Sequence, residues 1–203
     1  GTPGIVIDGY GHVASDLIDF APFECRFAGP RSRPETERKK GLNMGDNFEN
    51  LLERFTGTVE AGDGTALADL FAPNGIYHDT FYGAFQGHVA IKAMLEDRFW
   101  GDAEAFLWDM FDPVFDAGQN LGYARWVFSY TSTMEGSAGK RVAFNGFSQF
   151  TLEGRGIRLY REVFSAGIAL VQLAMDPART DKILRRMVEK HKTDPEWGRH
   201  ISK

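Results

Sequence analysis

Residues 75–87, GIYHDTFYGAFQG, decide how the rest of the chain is read. Four aromatic rings, a His-Asp pair, three glycines and β-branched residues fall within thirteen positions. A helix-period pattern precedes the stretch. Phe48, Leu51, Leu52, Phe55 and Val59 recur at three- and four-residue steps, which predicts a helix over 46–61. Asp46 or Asn47 is its expected cap and Gly62 its stop. A second helix is expected over 65–71, ended by Pro73 and Gly75. A third, over 88–100, has Val89, Ile91, Met94, Leu95 and Phe99 on one side. The strand left between them, 76–79, carries an acid among aromatic rings. That combination reads as the wall of a pocket.

From Glu104 onward the period changes to two. Strands are expected over 105–116, 122–133, 141–152 and 157–164, with Pro113 marking a bulge or an edge. Glycine-containing turns between alternating runs argue for antiparallel hairpins. On 141–152, Val142, Phe144, Gly146, Ser148, Phe150 and Leu152 share the core face. On 122–133, either Tyr123, Arg125 and Val127 or Trp126, Phe128 and Tyr130 face outward. Such a row leaves an apolar patch, which predicts a homodimer through the sheet. Helices are expected over 166–174 and 177–192. In the second, Ile183, Leu184, Met187 and Val188 form a stripe that should dock.

Three domains are expected: residues 1–43 as an N-terminal arm or a non-native extension, 44–175 as the α+β body, and 176–203 as a helical extension. The segment GPRSRPETERKKG reads as a linker, and Met44 is an expected natural start. The net charge of −5 offers no basic face, so no nucleic-acid partner is expected. Basic residues of the last helix are interspersed with acids and read as a solvated face. The single cysteine, Cys25, allows no internal disulfide, and the five histidines are too scattered for a metal site. No phosphate-binding glycine loop or dinucleotide fingerprint is present. No membrane partner is expected, and the expected compartment is the cytoplasm. The 17 Phe residues favour a broad apolar interior.

The order of elements, with the phrases EAGDGTALADLFAPNGIYHDTFYG, FQGHVAIKAML and GIRLYREVFSAGIALVQL, resembles the nuclear transport factor 2-like superfamily. Within it, the chain is most similar to the SnoaL-like polyketide cyclases and ketosteroid isomerases. The resemblance covers about residues 47–173. It implies an α+β fold, a cone-like curved antiparallel sheet with helices in its concave side (a cystatin-like roll). It also implies a deep apolar pocket for a small hydrophobic molecule and a reaction without a cofactor. By the same resemblance Asp79 falls on the general-base position of the isomerases. Their phenol donor falls on Phe55, which has no hydroxyl. Their assisting acid falls near Gly146 or Ser148.

Asp79 and Tyr130 are therefore the expected catalytic pair, base and hydroxyl donor. Phe55, Tyr77, His78, Tyr82, Trp108, Trp126, Phe144 and Ser148 are the expected pocket residues. Tyr77, one strand period from Asp79, should share its face. Desolvation among aromatic rings should raise the Asp79 pKa. The bland reading of Asp79 is an Asx-turn before Tyr82-Gly83. Arg125 and Glu162 are expected to form a cross-strand ion pair. The function expected is isomerase, cyclase or dehydratase chemistry on a hydrophobic carbonyl compound. The alternative is a non-catalytic ligand-binding or dimerisation module of the same fold.

Overall fold

The computed structural model describes residues 44–201. The expected arm over residues 1–43 lies outside them. Helix α1 spans Met44–Ala61, so it begins before Asp46 and neither Asp46 nor Asn47 caps it. It ends at Gly62, whose φ of 68° few other residues adopt without strain. Helix α2, Gly64–Ala68, is capped by the Asp63 carboxylate, which accepts from the Ala66 N–H at 2.8 Å. It is shorter than expected because strand β1, Phe71–Asp79, starts at once. Strand β2, Gly83–Gln86, turns back on β1 as a hairpin, a strand absent from the expected set. Helix α3, His88–Ala93, runs into a π-helical segment, Met94–Phe99, and a last turn α4, Trp100–Asp102.

Strands β3 (Ala103–Asp116), β4 (Leu121–Ser132), β5 (Arg141–Glu153) and β6 (Gly156–Phe164) form an antiparallel meander. The sheet order is β2-β1-β6-β5-β4-β3. β1 pairs with β6 in parallel, so the curved sheet is mixed and not wholly antiparallel. Pro113 sits on the edge strand at a register shift between Phe111 and Val114, where its missing N–H costs least.

The concave face of the sheet holds α1. Phe48, Leu52, Phe55 and Val59 are buried there. Phe55 is the hub: its ring lies 4.8–6.4 Å from those of Phe71, Tyr77, Trp108, Phe150 and Tyr160. Glycines make room for two other rings of the core. A Cβ at Gly122 would collide with the Phe48 ring, and one at Gly146 with the Trp126 indole and the Val163 carbonyl.

The row Tyr123, Arg125 and Val127 faces outward, and Trp126, Phe128 and Tyr130 face inward. With Leu107, Val114, Phe147 and Val163 the outer row leaves a broad apolar surface; Val163 is 74% exposed and Phe147 62%. Arg125 lies on this face. It pairs with Asp112 at 3.0 Å and covers the Phe111 ring, so the expected pair with Glu162 does not form.

Helix α5 spans Ala166–Gln172, α6 spans Pro177–His191 and α7 spans Gly198–Ile201. Only half of the α6 stripe docks: Ile183 and Met187 are half-buried, while Leu184 and Val188 stay exposed. Lys190 donates to the Phe81 carbonyl at 3.4 Å, and Arg161 pairs with Glu196 at 2.8 Å. No described helix is long and apolar enough to cross a membrane.

Candidate active site

The inward faces of β1, β3, β4, β5 and β6 enclose a cavity with about 580 Å³ of empty space, part of it open to solvent. Alternation along each strand places the walls. Tyr77 and Asp79 come from β1, Trp108 from β3, Trp126 and Tyr130 from β4, Phe144 from β5, and Glu162 from β6. The π-helical segment and α4 add Phe99 and Asp102. Eleven of the sixteen lining residues are aromatic, three are acids, and none is Lys, Arg or His. That lining favours an apolar guest and disfavours an anionic one.

Asp79 ends β1 and is 3% exposed. Its Oδ1 accepts two backbone hydrogen bonds, from Phe81 and Tyr82, each at 2.7 Å. This is the Asx-turn of the bland reading, and it fixes the carboxyl at the cavity wall. Burial nevertheless raises the Asp79 pKa. The backbone donors and a hydrogen bond from Glu162 offset only part of that rise.

Glu162, on the neighbouring strand, is the second carboxyl. It keeps some accessible surface, yet protein surrounds it and the cavity is the space beside it. Burial, then the Asp79 charge, raises its pKa well above the ordinary carboxylate range. Tyr160 donates to its Oε2 at 2.8 Å, and the Thr80 N–H approaches its Oε1 at 3.4 Å. Two carboxyls this close cannot both ionise easily, so they titrate as a pair.

At another part of the wall Tyr82 donates to the Asp102 carboxylate at 3.3 Å. Burial and then the Asp102 charge push the Tyr130 phenol up to about 12. Tyr77, fully buried, lies next to the pair. Burial and the charges of Glu162 and Asp79 hold its phenol protonated. Among the described residues the Trp108 indole N–H has no hydrogen-bond partner.

Asp79, Tyr130, Tyr77, Tyr82, Trp108, Trp126 and Phe144 thus line one cavity. Three expected pocket residues do not. His78 alternates with Asp79 and is exposed on the opposite face. Phe55 lies behind Tyr77 and Tyr160, covered on all sides by rings. Ser148 is buried behind the wall, where it accepts from the Trp126 Nε1 at 2.8 Å. Sequence reasoning missed Glu162 as a site residue and did not consider Asp102. Among the described residues no group of acids, histidines or cysteines could hold a metal ion.

A family model for the SnoaL-like domain matches residues 52–160. The chain belongs to this family. The matched span runs from α1 to Tyr160 on β6, so it takes in Asp79 and stops just short of Glu162. Solved structures agree on the SnoaL-like fold. A protein with a ketosteroid isomerase-like fold from Catenulispora acidiphila, solved with trimethylamine, is 16% identical; the match covers 62% of this chain and 93% of that one, with a TM-score of 0.56. A SnoaL-like polyketide cyclase from Shewanella putrefaciens is 17% identical, covering 66% and 99%, with a TM-score of 0.55. An LEH-like epoxide hydrolase from M. tuberculosis is 14% identical, covering 65% and 92%, with a TM-score of 0.54. No curated protein matches the chain.

Proposed function

We propose that this SnoaL-like protein is an acid–base enzyme of the isomerase, cyclase or dehydratase type. Its substrate is a small hydrophobic carbonyl compound, and Asp79 is the base. The observation that carries this reading is a buried carboxyl with a raised pKa on the wall of an aromatic cavity. A carboxylate in that setting is poorly solvated, which strengthens it as a base toward a C–H beside a carbonyl. Tyr130 offers a phenol to the substrate oxygen from the same cavity. The names of the cyclase and hydrolase neighbours fit this class. The Asx-turn at Asp79 favours the other reading, a binding module in which that acid only holds the turn.

Benzylacetone in deuterium oxide tests the reading. Its α-protons should exchange faster with the protein than in buffer, followed by proton NMR. Saturable binding with no added exchange would favour the binding module.

The apolar outer face supports a second proposal, that two copies pair through it as a homodimer. Sedimentation at micromolar concentration should show the dimer, and Phe147→Glu with Val163→Glu should return the monomer. A wild-type protein that sediments only as monomer would rule the dimer out.

A further inference from the structure

A chain of hydrogen bonds behind the cavity runs from Trp126 through Ser148 and Tyr160 to Glu162. An indole N–H can only donate, so Ser148 Oγ accepts from Trp126 Nε1 at 2.8 Å. The one Ser148 proton goes to Tyr160 Oη at 2.9 Å. The one Tyr160 proton goes to Glu162 Oε2 at 2.8 Å. Oε2 is therefore an acceptor. Asp79 Oδ1 is an acceptor too, because two backbone N–H groups occupy it. By elimination, a proton held between these carboxyls lies between Glu162 Oε1 and Asp79 Oδ2. The two short backbone bonds favour the ionised form of Asp79. Glu162 has one short bond, from the Tyr160 phenol, and its only backbone donor, Thr80 N–H, is distant at 3.4 Å. The shared proton therefore rests on Glu162.

We propose that Glu162 is the acid that works with Asp79, and that the substrate is a β-hydroxy carbonyl compound losing water; this rests on the proton-abstraction reading above. Among the described residues no cation lines the cavity to meet negative charge on a substrate oxygen. A proton delivered as charge develops removes that need. Asp79 takes the proton from the carbon beside the carbonyl. The C–H electron pair becomes the new C=C bond as the C–O bond to the β-hydroxyl breaks. Glu162 gives its proton to the departing oxygen, which leaves as water. Asp79 is then protonated and Glu162 ionised. Transfer of that proton from Oδ2 to Oε1 restores the starting state, so the pair carries one proton throughout. β1 and β6 are neighbours, so acid and base address one face of the substrate and the elimination is syn. Tyr160 and Ser148 act through Glu162 as positioning residues.

Carboxyl-carbon NMR on the whole protein, labelled at Asp and Glu, reads the pair without a substrate. Asp79 and Glu162 should lose protons in two separated steps. Tyr160→Phe should move the upper step to higher pH, because a donor to ionised Glu162 is lost, and Ser148→Ala should do so more weakly. Independent titration of both carboxyls in the ordinary acidic range would overturn the shared proton. The acid role is read with two probes. Benzylacetone exchange needs only the base. Dehydration of its benzylic-hydroxyl derivative to benzylideneacetone needs base and acid. Glu162→Gln should slow dehydration about a hundredfold or more, and by a clearly larger factor than it changes exchange, which reports Asp79 alone. Wild-type dehydration should have a bell-shaped pH profile. Exchange without dehydration in the wild type, or a Glu162→Gln variant that still dehydrates, overturns the acid role and spares the base. Absence of exchange in the wild type removes the base reading, and this proposal with it.

Discussion

Asp79→Asn should lower proton exchange by about a thousandfold, within the range typical for loss of a positioned base, while ligand binding survives. The substitution is informative because it separates two roles of one side chain. An Asn Oδ1 can accept the Phe81 and Tyr82 N–H groups as the Asp oxygen does at 2.7 Å. The turn, and with it the wall, should keep its shape. Only the capacity to take a proton is lost. Exchange unchanged in the variant would leave Asp79 as a turn residue and favour the binding module. Stability should move the other way. Burial raises the folded-state pKa of Asp79 and, further, of Glu162. For groups shifted upward, the folded state is favoured below the ordinary carboxylate range, and that advantage is lost as pH rises through the raised values. Asp79→Asn removes one of the two carboxyls the folded protein must bury. At neutral pH the variant should melt higher, by about 2–4 °C for each kcal/mol relieved. The gain should fade toward about pH 4, where both proteins carry neutral groups. Thermal melts across that range check the sign.

How much of this site could be read beforehand turns on one residue shift. The face of β5 follows from simple alternation, which places Ser148 inward as expected. Counting β6 back from the tight turn without interruption would put Arg161 opposite Ser148 and Glu162 beside Phe147, on the outside. Arg125 lies in that outer row, which is why an Arg125–Glu162 pair looked reasonable. A register shift between Thr151 and Leu152 sets Glu162 opposite Ser148 instead and turns its carboxyl into the cavity. A bulge of this kind leaves no periodic trace, because no glycine or proline marks those positions. Asp79 was legible for the opposite reason: its place depends only on alternation with Tyr77 over two residues. His78 could not share that face, since neighbours on a strand point apart. The early start of β1 was hidden by Pro73 and Gly75, which normally punctuate strands but here fall where the β1–β6 register shifts.

Phe55→Ala should cost about 3–5 kcal/mol of folding stability, the usual cost of truncating a buried aromatic residue. Phe55 comes from α1, yet its ring touches residues of β1, β3, β5 and β6. It therefore ties the helix to most of the concave face. No polar group takes part in these contacts, so the loss is one of packing and leaves no unpaired partner. Domains of this size hold about 5–15 kcal/mol in total, so the variant should remain folded but close to its limit. Urea unfolding should show a lower midpoint with an unchanged slope, the pattern of lost stability without lost compactness. Tyr77 and Tyr160 flank the vacated space and also back the carboxyl pair. Relaxation of Tyr160 into that space would lengthen its hydrogen bond to Glu162, so the upper carboxyl step should rise in this variant as in Tyr160→Phe. Phe55→Leu refills most of the volume and should recover both the midpoint and the titration. A loss below about 1 kcal/mol for Phe55→Ala would mean that α1 is not seated against the sheet through this ring.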